Sequence, residues 1–136
     1  MRKGLAAVLL LTGLALVAPA EAQVPINKKK VHLHVVATAY NSTPAQTDGD
    51  PRIGAWGDRL DQVQGARVIA VSRDLLKRGL TRGQRVRIHG LPGEFIVLDK
   101  MPRRWKNHID IFMDKDLHGA RRWGRRRVKI SWVKQG

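Results

Sequence analysis

Asp99 and Asp110 are the residues best placed to do chemistry in this sequence. Asp99 closes an apolar run, Phe95-Ile96-Val97-Leu98-Asp99, and by simple alternation shares a face with Phe95 and Val97. Asp110 interrupts Ile109-Asp110-Ile111, so in a strand its carboxylate points away from both isoleucines. A carboxylate in a partly desolvated groove has its pKa raised and can exchange a proton near neutral pH. Simpler roles compete: Asp99 can open a turn, and Asp110 can pair with one of the many arginines, although aspartate is depleted in strand interiors. Trp56 and Trp105 fall in loops, where an indole can stack on a sugar ring. His32 and His34 share a strand face as a possible metal pair, but no third ligand accompanies them and no metal or other cofactor is expected.

The elements that must position these groups are short. Val31 to Tyr40 alternates in the period-2 pattern of a strand, whereas residues 41–64 show no period and are rich in Gly, Asp, Pro, Thr and Gln. So long a structureless connection in a small domain is a candidate binding loop. Further strands are predicted at 66–71, 85–89, 94–99, 108–113 and 127–133. Ser72 is the expected cap of a helical turn closed by Gly79, and Asp114 that of a second turn closed by Gly124. Six short strands with Gly/Pro-rich connections point to an all-β fold, a small closed barrel with one or two helical turns.

Composition sets the setting. The chain has 136 residues, 26 Lys+Arg against 11 Asp+Glu, a formal charge of +15, and no cysteine. Disulfides, thiolate metal sites and thiol nucleophiles are therefore excluded. Met1-Arg2-Lys3, the apolar run Gly4–Val17 and Ala18-Pro19-Ala20-Glu21-Ala22 form a signal peptide, cut before Gln23. Residues 23–34 are then read as a linker and the start of the first strand, with 35–136 as a single domain. The apolar run is shorter than a spanning helix needs, so no membrane span is expected after cleavage. Removing residues 1–22 leaves a charge of +14 on a protein expected in the periplasm or outside the cell. Nucleic acid is not an expected partner there. Anionic envelope polymers are candidates; the basic cluster Arg121, Arg122, Arg125, Arg126, Arg127 and Lys129 reads first as a solvated face, with polyanion contact as the sharper alternative.

Five ordered blocks carry a family resemblance: Ala37–Ser42, Val68–Leu75, Val97–Met101, Ile109–Phe112 and Ala120–Gly124. Together they resemble the 3D (three-aspartate) domain, which is related to the catalytic barrel of the MltA-type lytic transglycosylases. The resemblance implies a six-stranded double-psi β-barrel acting on peptidoglycan glycan strands, and a monomer is expected. It further implies cleavage of the MurNAc–GlcNAc β-1,4 bond with formation of a 1,6-anhydro product. Asp110 matches the acid/base of that reaction and Asp99 its neighbouring aspartate. Thr38, Tyr40 and Thr47 match groove-lining positions, and Lys100, next to Asp99, is expected to contact substrate there. The sequence departs from the pattern in three places. Asp99-Lys100-Met101 stands where Asp-Thr-Gly is frequent, Asp74 is offset from the first aspartate, and Ile53–Gly57 lacks a common threonine. A barrel that binds the wall or another anionic polymer without cutting is the alternative expectation.

Overall fold

The computed structural model describes residue 13, residues 28–42 and residues 49–135. Apart from Gly13, the expected signal peptide lies outside the described residues, as does Thr47. The strands are β1 (Lys30–Tyr40), β2 (Arg67–Val71), β3 (Arg85–Ile88), β4 (Phe95–Lys100), β5 (His108–Phe112) and β6 (Arg126–Val133). They close in the order β1-β5-β2-β4-β3-β6. Pairs β1/β5 and β2/β4 run parallel, and the other four are antiparallel. This is the six-stranded double-psi barrel expected from the sequence. Among the described residues every strand is paired on both sides over at least part of its length.

Alternation builds the interior. Val35 and Ala37 of β1, Ile69 and Val71 of β2, Val86 and Ile88 of β3, and Phe95 and Val97 of β4 all point inward and are buried. Ile109, Ile111, Ile130 and Trp132 complete the core from β5 and β6. Two short helices serve as plugs. Helix α2 (Leu117–Trp123) inserts Trp123, whose indole Nε1 donates to the Ala37 carbonyl at 3.1 Å. Its cap is Asp116, whose side chain accepts from Gly119 N at 2.8 Å. Asp114, the expected cap, instead takes a left-handed φ of 44° in the preceding turn. Helix α1 (Arg73–Leu76) is shorter than expected, ending at Lys77 rather than Gly79. Ser72 occupies its N-cap position, but the hydroxyl accepts from the His108 amide at 3.0 Å and so ties α1 to β5.

A second apolar layer lies outside the barrel. Leu60, Val68, Leu98 and Phe112 are buried there, with Tyr40, Val63 and Ile96 packed against them. The loop before β2 covers this layer and is less irregular than its composition suggests. It holds an isolated bridge between Ile53 and Arg59 and a 3-10 turn at Leu60–Gln62. Gly54 lies so close to β4 that a Cβ there would collide with the Leu98 carbonyl oxygen and press on the Leu60 side chain. Gly54→Ala should therefore destabilise the protein by ~1–3 kcal/mol, the usual cost of overpacking. A chemical-denaturation midpoint equal to wild type would show that the loop does not seat on β4 in this way.

Candidate active site

β5 and β1 bring the first carboxylate into place. Thr38 lies opposite Asp110 in the parallel register, and Ala70 lies opposite Asp110 on β2. Asp110 thus faces out from the barrel wall, opposite to Ile109 and Ile111, as alternation predicts. The small Ala70 leaves open space beside it. Asp99 reaches the same place by a different route. The β2/β4 register runs Ile69↔Val97 and then Ala70↔Asp99, so Leu98 is an extra residue on β4. That bulge turns Asp99 off the Phe95/Val97 face and sets it beside Ala70, correcting the expectation that it shares their face. Asp99, Asp110, Tyr40 and Lys100 consequently line one cavity of about 590 Å³, together with Gly54, Ala55, Met101 and Arg104.

Each carboxyl group has its own hydrogen-bond set. Asp99 accepts from the Tyr40 hydroxyl at 3.0 Å, Ala55 N at 2.8 Å and Lys100 N at 2.9 Å. Burial, followed by the charge and hydrogen bond of Asp99, holds the Tyr40 phenol far above its ordinary value, so it stays a donor. Asp110 accepts one bond, from the Thr38 hydroxyl at 3.0 Å. Burial pushes its pKa up to about 6; the Thr38 bond opposes this and the negative charge of Asp99 adds to it. The Thr38 oxygen also lies 2.8 Å from His108 Nε2. With its one proton directed at Asp110, the hydroxyl must accept from the ring, which places the imidazole hydrogen on Nε2. His108 is buried, and burial first, then Arg125, holds its pKa down and favours the neutral ring.

The other expected site residues fall around this centre. Trp56 is half-buried against the core with the Lys100 ammonium 5.0 Å from its ring centre. Trp105 stands edge-on to His108 at 4.9 Å, under the Arg104 guanidinium. Both indoles border the cavity through these partners rather than lining it. Asp74 is outside it, accepting from Asn107 N at 2.9 Å and so anchoring the 100–107 loop. His32 and His34 are exposed on β1. Among the described residues no three His, Asp or Glu side chains gather as a metal site. Sequence reasoning passed over His108, Ala55 and Arg104. The short spacing His108-Ile109-Asp110 was the available signal for the first, since residues two apart in a strand share a face.

No protein-family model matches the chain, and no curated protein matches it. Among solved structures it is similar to the apo form of a Clavibacter michiganensis expansin. The TM-score is 0.51 at 18% identity, over 78% of this chain and 52% of that one. It is also similar to an Asp-to-Asn mutant of C. michiganensis expansin in complex with cellohexaose, with TM-score 0.47, 17% identity, and coverage of 78% and 51%. The chain therefore spans about half the length of these expansins. At 18% identity the likeness to the apo form is one of barrel fold.

Two outcomes test the electrostatics. Thr38→Val removes the bond that holds the Asp110 pKa down and should raise it above 6, read by carboxyl NMR titration; an unchanged or lower value would refute the Thr38 bond. Because the folded pKa of Asp110 exceeds its ordinary 3.8, wild type loses stability as pH rises from 3.8 towards 6. Asp110→Asn should then be more stable than wild type by about 3 kcal/mol well above pH 6, with the gain vanishing below about pH 4. Equal melting curves at neutral pH would contradict the burial of this charge.

Proposed function

We propose that the protein binds glycan strands of the cell wall in the cavity between the 50–57 loop and the β5-β2-β4 wall. The carrying observation is the cavity itself: two carboxyl groups as acceptors, a phenol and backbone amides around them, and cations at the rim. Sugar hydroxyls are matched by such mixed donors and acceptors on a pre-formed cleft. Lys100 and Arg104 favour a glycan that carries carboxylates, as the lactyl groups and stem peptides of peptidoglycan do, over a neutral glucan. Binding asks nothing more of these residues than their positions.

One observation favours a second reading, lytic transglycosylation. Asp110 has its pKa raised to about 6, so it carries a proton for part of the time under mildly acidic conditions. In that reading Asp110 protonates the glycosidic oxygen as the bond to C1 breaks, leaving an oxocarbenium-like sugar. The ionised Asp110 then takes the proton of the MurNAc C6 hydroxyl as that oxygen bonds to C1. The proton is returned and no water is consumed, which gives the 1,6-anhydro product. Asp99, fixed by three donors, supplies negative charge beside the developing cation and keeps Asp110's proton in place.

Sacculi separate the two readings. Wild-type protein should cosediment with purified peptidoglycan, and Tyr40→Phe with Lys100→Ala should weaken that at least tenfold. Loss of all cosedimentation difference would refute groove binding. If the chain also cuts, chromatography of digests shows anhydro-muropeptides from wild type and none from Asp110→Asn, with binding retained by the variant. Release undiminished in Asp110→Asn would remove that residue from the chemistry.

A further inference from the structure

The basic residues of this chain are not scattered evenly. We propose that the outer face of β1, β6 and β3 is a binding track for a phosphodiester-linked polyol polymer of the envelope. The aspartate cavity is built on β5, β2 and β4 with Thr38 and Tyr40 from the C-terminal end of β1, whereas this face uses the N-terminal half of β1 with β6 and β3. Their outward residues are exposed and cationic or imidazole: Lys30, His32 and His34 on β1, Arg87 on β3, and Arg127 and Lys129 on β6.

Register sets them in rows. Ser131 has His32 on one side and Arg87 on the other. Two residues along, Lys129 has His34 on one side, and its carbonyl accepts from His89 N at 2.8 Å on the other. Rows of donors therefore recur about 7 Å apart along the strands and about 5 Å apart across them. Among the described residues none of Lys30, Arg87 or Lys129 is in an ion pair; the nearest pair, Arg85–Glu94, lies at the edge of the face. Each unpaired cation is free to meet a ligand charge.

The face is concave rather than flat. One hollow of about 340 Å³ is lined by Lys30, His32, Arg87, His89, Lys129 and Ser131. A less polar hollow of about 270 Å³ beside Val133 and Trp132 shares Lys30, Arg87 and Ser131 with it, and the Glu94 carboxylate, paired with Arg85, also lines it. On its other side a hollow of about 610 Å³ carries Lys77, Arg78 and Lys134, sharing Lys30 and His32. Three neighbouring hollows that share lining residues suit a chain molecule rather than one ion. An arginine fork, imidazoles and a serine hydroxyl line the first hollow together, donors that suit the several oxygens of a phosphate. The less polar hollow suits the carbon links between phosphates.

Other polyanions fit less well. The exposed large apolar side chains among the described residues are Ile53 and Leu117, and neither is on this face, so it lacks an anchor for a bilayer interface. Among the described residues it also presents no exposed Trp, Tyr or Phe ring on which a base would stack. The track does not depend on the reading of the aspartate groove.

Titration of the purified protein with poly(glycerol phosphate), followed calorimetrically at several salt concentrations, tests the proposal. The double variant Arg87→Gln/Lys129→Gln keeps side-chain length on an exposed surface, and its thermal melt checks that it folds. Its association constant should fall at least tenfold, and the slope of log K against log salt should flatten by about 1.5, the loss of two phosphate contacts. Asp110→Asn should bind as wild type does. Wild-type affinity and slope in a folded double variant would overturn the proposal. So would equal affinity for polyglutamate of the same length, for single-stranded DNA, or for phosphatidylglycerol vesicles, because each would mean attraction by charge alone or a different occupant.

Discussion

One extra residue on β4 decides what this barrel can do. Between Ile69↔Val97 and Ala70↔Asp99 the register slips, and Leu98 is the residue left over. Without the slip Asp99 would follow Val97 into an interior filled by Ile109, Ile111 and Phe95, where an ionised carboxylate has no partner and costs several kcal/mol. With it, Leu98 joins the outer apolar layer and Asp99 arrives beside Asp110. The loop seals the arrangement. Gly54, where a Cβ would collide with the Leu98 carbonyl, lets the loop close on β4, and the next amide, Ala55 N, donates to Asp99. Bulge, glycine and carboxyl group act as one unit, which is how a wall made for packing comes to carry a polar site.

The same slip marks the limit of what the sequence reveals. Asp110 was legible because it sits between two isoleucines in a strand with no irregularity, so period 2 alone turns it outward. Asp99 was legible as an interesting residue but not in its direction, because a bulge leaves no mark in composition and alternation reads straight through it. Asp114 and Asp116 are the same residue type, two positions apart, and only the turn at Asp114 with φ of 44° decides which one caps α2. The six strands were legible because each contributes alternating apolar residues to one core. Structure within the 50–65 loop was not, since its determinants are contacts with Leu98, Asp99 and Arg82, distant in the chain. His108 read as an ordinary strand residue because its role depends on Thr38, seventy positions away.

Thr38 links the two halves of the polar site to the fold. Its hydroxyl stands between a buried imidazole and the Asp110 carboxyl and bonds both. When Asp110 is ionised, the hydroxyl donates to it and the ring donates to the hydroxyl. The parallel β1/β5 pairing that makes the barrel a double-psi also sets Thr38 opposite Asp110. Topology and proton inventory are thus fixed by one strand pair.

A chain with a formal charge of +15 is a poor place to keep a protonatable carboxyl group, because a nearby cation would pull its pKa down. The structure avoids this by distribution. The influences on Asp110 are burial, the Thr38 hydroxyl and the negative charge of Asp99, and no lysine or arginine is among them. Lys100, the cation adjoining Asp99 in sequence, rests its ammonium over Trp56, and Arg104 lies against Trp105. The unpaired cations of β3, β6 and the N-terminal half of β1 line other hollows than the one that holds Asp110. A Debye length of about 8 Å at physiological salt confines their field to their own surface, so they can draw in a polyanion without ionising Asp110. Separation, not net charge, is what lets one small barrel be strongly basic and still hold an acid.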